Sequence, residues 1–128
     1  MAAGTTFTPI SSYTFASAAA NYTFTSIPAT YTDLVVIVNG SFASADGLNI
    51  QFNSDTTNNY SSTYVGGDGS SAISGRNSST SSMSMGYMST SQSTTIINVF
   101  NYANTTTYKT ALSRDNSTVY ALARVGLW

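Results

Sequence analysis

Few side chains in this sequence could perform chemistry. The 128 residues include no His, Cys or Glu, and the ionisable groups that remain, Tyr aside, are five Asp, one Lys and three Arg. Most general bases, activated nucleophiles and transition-metal sites depend on the missing residue types. A serine hydrolase would need Lys109 or an Asp as its base, and a glycosidase would need two Asp carboxylates to converge.

The acidic residues follow the pattern of turns rather than that of a catalytic pair. Asp46 and Asp55 flank an alternating segment at residues 48–52, and Asp68 lies in Gly66-Gly67-Asp68-Gly69. Asp commonly starts turns by accepting hydrogen bonds from its own local backbone. The glycine-rich turn lacks the Lys-Ser/Thr pair of a phosphate-binding loop and precedes no predicted helix. A surface calcium loop is the weaker alternative for it.

Lys109 lies in the strand-like run Tyr108-Lys109-Thr110, which favours a solvated strand residue over a catalytic base. The sequence therefore predicts a protein that is not an enzyme. We expect no catalytic, cofactor-binding or metal-binding residues, and no cofactor.

The composition restricts the partners. Only 7% of the residues are charged and the net charge is −1, whereas ordinary domains are about 25% charged. Such a chain has no field that attracts nucleic acid or an anionic membrane. The longest apolar run, Leu34 to Val38, is far shorter than the roughly 20 residues that span a bilayer. We expect neither a nucleic-acid partner nor a membrane span.

The apolar residues have the two-residue period of β-strands. Tyr13 and Phe15 alternate with polar residues, as do Tyr22 and Phe24, which predicts two short strands before Pro28. The continuous β-branched run Leu34–Val38 predicts a strand that is buried on both faces at the centre of the fold.

Further strands are predicted at residues 48–52, 60–65, 82–87, 95–102, 108–112 and 119–128. No segment has a helical period, so we expect no helix longer than about two turns. The pattern predicts an all-β antiparallel sandwich or jelly roll that forms a single domain over residues 1–128. The predicted core consists of Tyr22, Phe24, Leu48, Ile50, Phe52, Ile97 and Val99, with Met83, Met85 and Met88 as core filler.

The predicted surface is polar but nearly uncharged, because Ser and Thr make up about a third of the chain. Freely diffusing proteins normally use charge for solubility, so this surface favours packing against copies of the chain or a larger assembly. A loop such as Asn58-Asn59-Tyr60 could stack on a sugar, although a tyrosine buried in a sheet is the simpler interpretation.

Residues 22–38, YTFTSIPATYTDLVVIV, carry a resemblance to a known class of proteins. An aromatic strand followed by Ile-Pro-x-x-Tyr-x-Asp-Leu and an apolar strand is similar to small virion structural proteins of tailed bacteriophages, especially those of aquatic and cyanobacterial hosts. Residues 48–55 (LNIQFNSD), 59–61 (NYS), 97–103 (INVFNYA) and 126–128 (GLW) extend the likeness over most of the chain.

The resemblance implies a β-sandwich component of the virion, of the capsid-decoration, head-fibre or tail-fibre type, with other virion proteins as partners. It supplies no catalytic residues. The alternative is an adhesin, a receptor-binding fibre or tip domain that binds a host-surface glycan or protein; a depolymerase ranks below both. Because fibres and spikes of such phages are commonly trimeric, we expect a homo-oligomer and favour a trimer.

Such relatives usually continue beyond Gly126–Trp128 with two further strands, whose absence here would leave a sheet edge open. A Trp left in water would expose a large apolar ring. We therefore expect Trp128 and the last strand, residues 119–127, to be covered by the domain's own sheet or by a neighbouring subunit.

Overall fold

The computed structural model describes residues 7–128, and every regular element within them is a β-strand. All strand pairs are antiparallel, which confirms the prediction of an all-β antiparallel fold. The strands are β1 (Leu34–Gly40), β2 (Asp46–Ile50), β3 (Tyr60–Gly67), β4 (Ala72–Thr80), β5 (Met83–Met88), β6 (Ser93–Phe100), β7 (Thr110–Asn116) and β8 (Ala121–Leu127).

The strands form two layers of unequal size. The large sheet has six strands in the order β1-β6-β7-β8-β3-β4, and the small sheet consists of β2 and β5. Strand β5 packs across β7 and β8, with further contacts to β6 and β3. The inner face of the large sheet is thus covered by a two-stranded ribbon, and the architecture is that of a lopsided β-sandwich.

The core lies between the two sheets. Met83 and Met85 of β5 are completely buried, together with Ile97 and Val99 of β6. These residues, with the buried Met88, confirm the corresponding core predictions. The predicted core residues Leu48, Ile50 and Phe52 are only partly buried and pack against the margin of this cluster.

Gly126 of β8 allows the two layers to approach closely. A Cβ added to it would lie 2.1 Å from Met83 Sδ and 2.8 Å from Met85 Sδ. No side chain larger than hydrogen fits at this position without moving the methionines. The glycine therefore sets the distance between β8 and β5.

The prediction that Leu34–Val38 is central and buried on both faces is wrong. Strand β1 is an edge of the large sheet and pairs only with β6. Leu34, Val36 and Val38 turn inward, whereas Val35 and Ile37 are exposed. The run of β-branched residues does favour a strand, but the second layer covers only one of its two faces.

The two predicted N-terminal strands are absent. Residues 7–33, called here the N-terminal arm, are not paired in either sheet. Tyr22 and Phe24 are 42% and 41% exposed and do not belong to the core, contrary to the prediction. Their alternation gives them strand propensity, but the chain provides no neighbouring strand for a hydrogen-bonded ladder.

Strand β4 was not predicted, because its sequence, AISGRNSST, lacks regular apolar alternation. It forms as the second half of a hairpin with β3. Strand β7 also begins and ends later than predicted.

Candidate functional site

The exposed acidic residues Asp46 and Asp68 accept hydrogen bonds from the local backbone. Asp46 Oδ1 accepts a hydrogen bond from the Gly47 N–H at 2.6 Å. Asp68 Oδ1 accepts from the N–H groups of Ser70 and Ser71 at 2.9 and 2.7 Å. These backbone hydrogen bonds lower the pKa of Asp68. Asp68 thus closes the β3–β4 hairpin, as the turn interpretation predicts.

Asp55 connects its loop to the C-terminal tryptophan. Its carboxylate accepts hydrogen bonds from the Thr57 hydroxyl, from Trp128 Nε1 at 2.7 Å, from the Thr57 N–H at 2.9 Å and from Asn59 Nδ2 at 3.2 Å. These bonds, those of Thr57 and Trp128 first, hold the pKa of Asp55 well below its usual range. The carboxylate therefore stays ionised and acts as a structural acceptor.

Trp128 is half-buried by residues of its own chain. Its ring stacks on Tyr60 at a centroid distance of 6.0 Å and lies 5.2 Å from the ring of Phe52. The expectation that Trp128 is covered by its own domain is therefore confirmed in part, because the ring is half-buried. Tyr60 itself is completely buried, and its hydroxyl accepts from the Phe52 N–H at 2.9 Å. The ring of Tyr60 is therefore not available to stack on a sugar, in agreement with the simpler interpretation.

The prediction that Lys109 is a solvated strand residue is wrong. It lies just before β7 and is 7% exposed. Its backbone exchanges two hydrogen bonds with Trp128, at 2.5 and 2.9 Å. The Lys109 side chain lies under the preceding loop, where Nζ donates to the carbonyl oxygens of Asn104 and Thr107. The ammonium group stabilises the loop between β6 and β7.

A buried ion pair between the layers was missed by the sequence reasoning. Arg124 Nε donates to Asp115 Oδ1 at 3.4 Å, and Asp115 also accepts from the Tyr87 N–H at 2.9 Å. Burial raises the pKa of Asp115, and the Arg124 charge partly offsets that effect. The available signal was the alternation in β7 and β8, which places both residues at inward positions.

Metal-ligating residues do not gather in the part of the chain that the structure describes: residues 7–128 contain no group of three or more Asp side chains placed to hold an ion. Asp55 and Asp68 lie in separate loops, as predicted, whereas Asp46 is the first residue of strand β2 and pairs with Met88.

One open cleft combines aromatic rings with amide and hydroxyl groups. It has a volume of about 570 Å³ and lies between Trp128 and the β6–β7 loop, which includes Tyr102. Tyr108 on that loop is 82% exposed, while Asn53 and Asn104 supply amide groups. Ring faces beside amides are suited to stacking and hydrogen bonding with a sugar. The cleft was not predicted from the sequence, because Asn53, the β6–β7 loop and Trp128 are remote from one another along the chain.

The large sheet carries an exposed apolar surface on the side that faces away from the small sheet, called here the outer face. Ile37, Val65 and Val125 on it are 67%, 61% and 51% exposed. The strand registers place these residues in adjoining rows, so that they form one surface. Its exposed large apolar members are Val35, Ile37, Val65, Phe100, Leu112, Val125 and Leu127.

The outer face carries little charge. Among the described residues, the strand alternation places Arg114 of β7 near its middle and Arg76 of β4 toward one edge. Arg114 lines a shallow depression of about 350 Å³ with Thr94, Ile96 and Asn116. A partner that covers this face would desolvate the aliphatic groups, the polar side chains of Asn98, Thr63 and Thr110 that lie among them, and the central guanidinium of Arg114.

The seven apolar residues of the outer face are on average about half exposed. Full burial of one aliphatic or phenyl side chain contributes about 1.5–3 kcal/mol, so covering the face would contribute roughly 5–10 kcal/mol. Soluble monomers rarely leave so extended an apolar surface in water. Within the described residues the outer face therefore has the properties of an interaction surface.

Comparisons with known proteins add no relative. No protein-family model matches the chain, and no curated protein or solved structure is significantly similar to it. Across residues 7–128 the structure contains no helix with the length and apolarity that crossing a membrane would require.

Proposed function

We propose that the chain is a non-enzymatic structural protein of a tailed-bacteriophage particle, a small β-sandwich module of the decoration or fibre type displayed on the head or tail. The outer face holds it in an assembly with neighbouring subunits. The observation that carries this proposal is the set of seven exposed large apolar side chains on the outer face of the six-stranded sheet. The resemblance of residues 22–38 to small virion proteins supports the same function.

The carboxylates all make hydrogen bonds or ion pairs within the fold, which supports a structural role over a catalytic one. Asp33 accepts a hydrogen bond from the Asn101 N–H at 2.7 Å. The other four carboxylates are held by local backbone N–H groups, by Trp128 or by Arg124. A general base must be able to reach the proton that it removes, and each of these carboxylates already serves the fold.

The chain has no cysteine of its own, so single cysteines can report which face is covered. Val125→Cys places a thiol on the outer face, and Asn49→Cys places one on the exposed side of the small sheet. Particles carrying either variant are treated with a maleimide, and the same chains unfolded in urea serve as the reference. We expect Val125→Cys to be protected in particles and Asn49→Cys to react. Equal reaction of both, or absence of the chain from particles, would refute the proposal.

A second candidate function, binding of a host-surface glycan, is favoured by the aromatic cleft beside Trp128. Tyr108 contributes its most exposed ring, and loss of one stacking ring should weaken sugar binding at least several-fold. The test is binding of host envelope polysaccharide to the purified protein, to Tyr108→Ala and to the control Tyr13→Ala. Loss of binding in Tyr108→Ala alone would support the cleft. Equal binding by all three would exclude it.

A further inference from the structure

The N-terminal arm is apolar on one side and has no cover. Residues 7–30 are all exposed, and residues 7–32 contain no charged side chain. The exposed rings include Phe7, Tyr13 and Phe15. An uncharged segment rich in aromatic residues is unusual as a solvated tail, because tails remain in water through charge and few aromatics.

The middle of the arm is folded on itself as an aromatic ribbon. The rings of Tyr13 and Tyr22 stack at a centroid distance of 3.9 Å. Phe15 and Phe24 contact this pair edge-on, with centroids 4.9 to 6.1 Å apart. In an extended chain, Ser and Thr at the intervening positions point to the opposite side. The ribbon thus has one aromatic and one hydroxyl side, and the aromatic side has no sheet beneath it.

The base of the arm is attached to the domain at the β6–β7 loop. The Tyr102 hydroxyl donates to the Pro28 carbonyl, and the Tyr102 N–H donates to the Thr32 carbonyl at 3.2 Å. The Asn101 N–H donates to Asp33 Oδ1 at 2.7 Å. With its base held in this way, the arm leaves the outer face of its own chain uncovered.

We propose that the aromatic ribbon of one copy packs on the outer face of the large sheet of a second copy. The inference rests on the proposed function in that it assigns an occupant to the same face. The small sheet provides the precedent within this chain, since the two-stranded ribbon of β2 and β5 covers the inner face. A ribbon supplied by another copy would complete a three-layer arrangement.

Charge and reach both fit this arrangement. An arm without charges places no unpaired ion against an aliphatic face, and a Tyr ring can cover the guanidinium of Arg114 by a cation–π contact. Between Pro28 and Tyr22, where the folded ribbon begins, the chain can extend by about 3.3 Å per residue, or roughly 20 Å, which is about four strand spacings from the base of the arm. The same contact can be exchanged between two copies or passed around a closed ring of three.

The first test is the association state of the purified full chain. In one variant Tyr13, Phe15, Tyr22 and Phe24 are changed to Ser; in the matched control, Thr14 and Thr23 on the other side of the ribbon are changed to Ser. Analytical ultracentrifugation should find the parent and the control associated at micromolar concentration. The aromatic variant should associate at least ten-fold more weakly, with an unchanged far-UV spectrum. A monomeric parent, or an aromatic variant that associates as the parent does, would overturn the proposal.

The second test locates the contact. Copies carrying Tyr13→Cys are mixed with copies of different mass carrying Val125→Cys, and a short bismaleimide is added. We expect a cross-link between the two kinds of copy, and a much weaker one when Asn49→Cys replaces Val125→Cys. Equal yields at positions 125 and 49 would overturn the ribbon–face contact. If the purified chain is monomeric but Val125→Cys is protected in particles, the exchange between copies fails while the proposed function stands.

Discussion

The close approach of β5 to β8 can be tested by adding one methyl group. Gly126→Ala would place Cβ 2.1 Å from Met83 Sδ and 2.6 Å from Met83 Cγ. Ordinary van der Waals contact for a Cβ begins near 3.4 Å, so the methionine would have to move by more than an ångström. Met83 is completely buried against the core cluster and has no adjoining solvent to move into.

Overpacking of a well-filled core typically costs about 1–3 kcal/mol. We expect a loss in that range for Gly126→Ala, because Met83 is flexible in its rotamers but enclosed. For a chain of this size, each kcal/mol lowers the melting temperature by roughly 3–6 °C. The same loss should reduce the urea midpoint by about 1 M.

The assay is urea unfolding followed by the fluorescence of Trp128, the only tryptophan. Gly40→Ala is the matched control, since a Cβ added there has nothing within 4 Å; its change should stay within about 0.5 kcal/mol. Adding Met83→Ala to Gly126→Ala removes the Met83 side-chain atoms that the new Cβ would overlap. The double variant should therefore be more stable than the sum of the two single changes predicts, by about 1 kcal/mol.

Two results would refute this reasoning. One is a Gly126→Ala variant as stable as Gly40→Ala. The other is strict additivity between Gly126→Ala and Met83→Ala. Either result would mean that β5 does not lie against β8 at the described distance and that the two-layer packing is wrong.

Three further outcomes are expected. Arg124→Met leaves Asp115 buried without its cation and should cost about 3 kcal/mol, whereas the double change with Asp115→Asn should cost less; equal losses in urea unfolding would contradict the ion pair. The pKa of Asp55 is lowered in the folded state, so its contribution to stability is present above its unfolded pKa and is lost as pH falls through the folded pKa. Trp128→Phe removes one of the responsible hydrogen bonds and should raise the pKa of Asp55 toward its usual value in an NMR titration, with acid unfolding beginning at a higher pH; an unchanged pKa would contradict this. Lys109→Met leaves loop carbonyls unpaired and should accelerate hydrogen exchange in residues 104–107, an effect absent if the lysine were solvated.

The alternation of residue types within a single strand correctly predicted which of its side chains are buried. Ile97 and Val99 alternate with Ile96 and Asn98 in one strand, and both predicted core residues are buried. The position of β1 depends instead on strand order, which the composition of Leu34–Val38 does not encode. Tyr22 and Phe24 show the same limit, because strand propensity cannot supply the partner strand that a ladder requires.

The candidate surfaces were not predictable for the same reason. The outer face is uncovered because β2 and β5 both pack on the other side of the six-stranded sheet, which is a property of the whole topology. Its apolar residues are distributed over β1, β3, β6, β7 and β8, at positions that look like ordinary strand residues in the sequence. The aromatic cleft depends on the backbone pairing of Trp128 with Lys109, which places the tryptophan beside the β6–β7 loop.

The most direct test of the central claim is a cryo-EM map, at a resolution that shows side chains, of the phage particle to which the proposal assigns the chain. The account predicts that the chain is present and that density from another subunit or from a neighbouring copy contacts Leu112 and Val125 on the outer face. A map in which the chain is present but this face is turned to solvent, or in which the chain is absent from the particle, would contradict it.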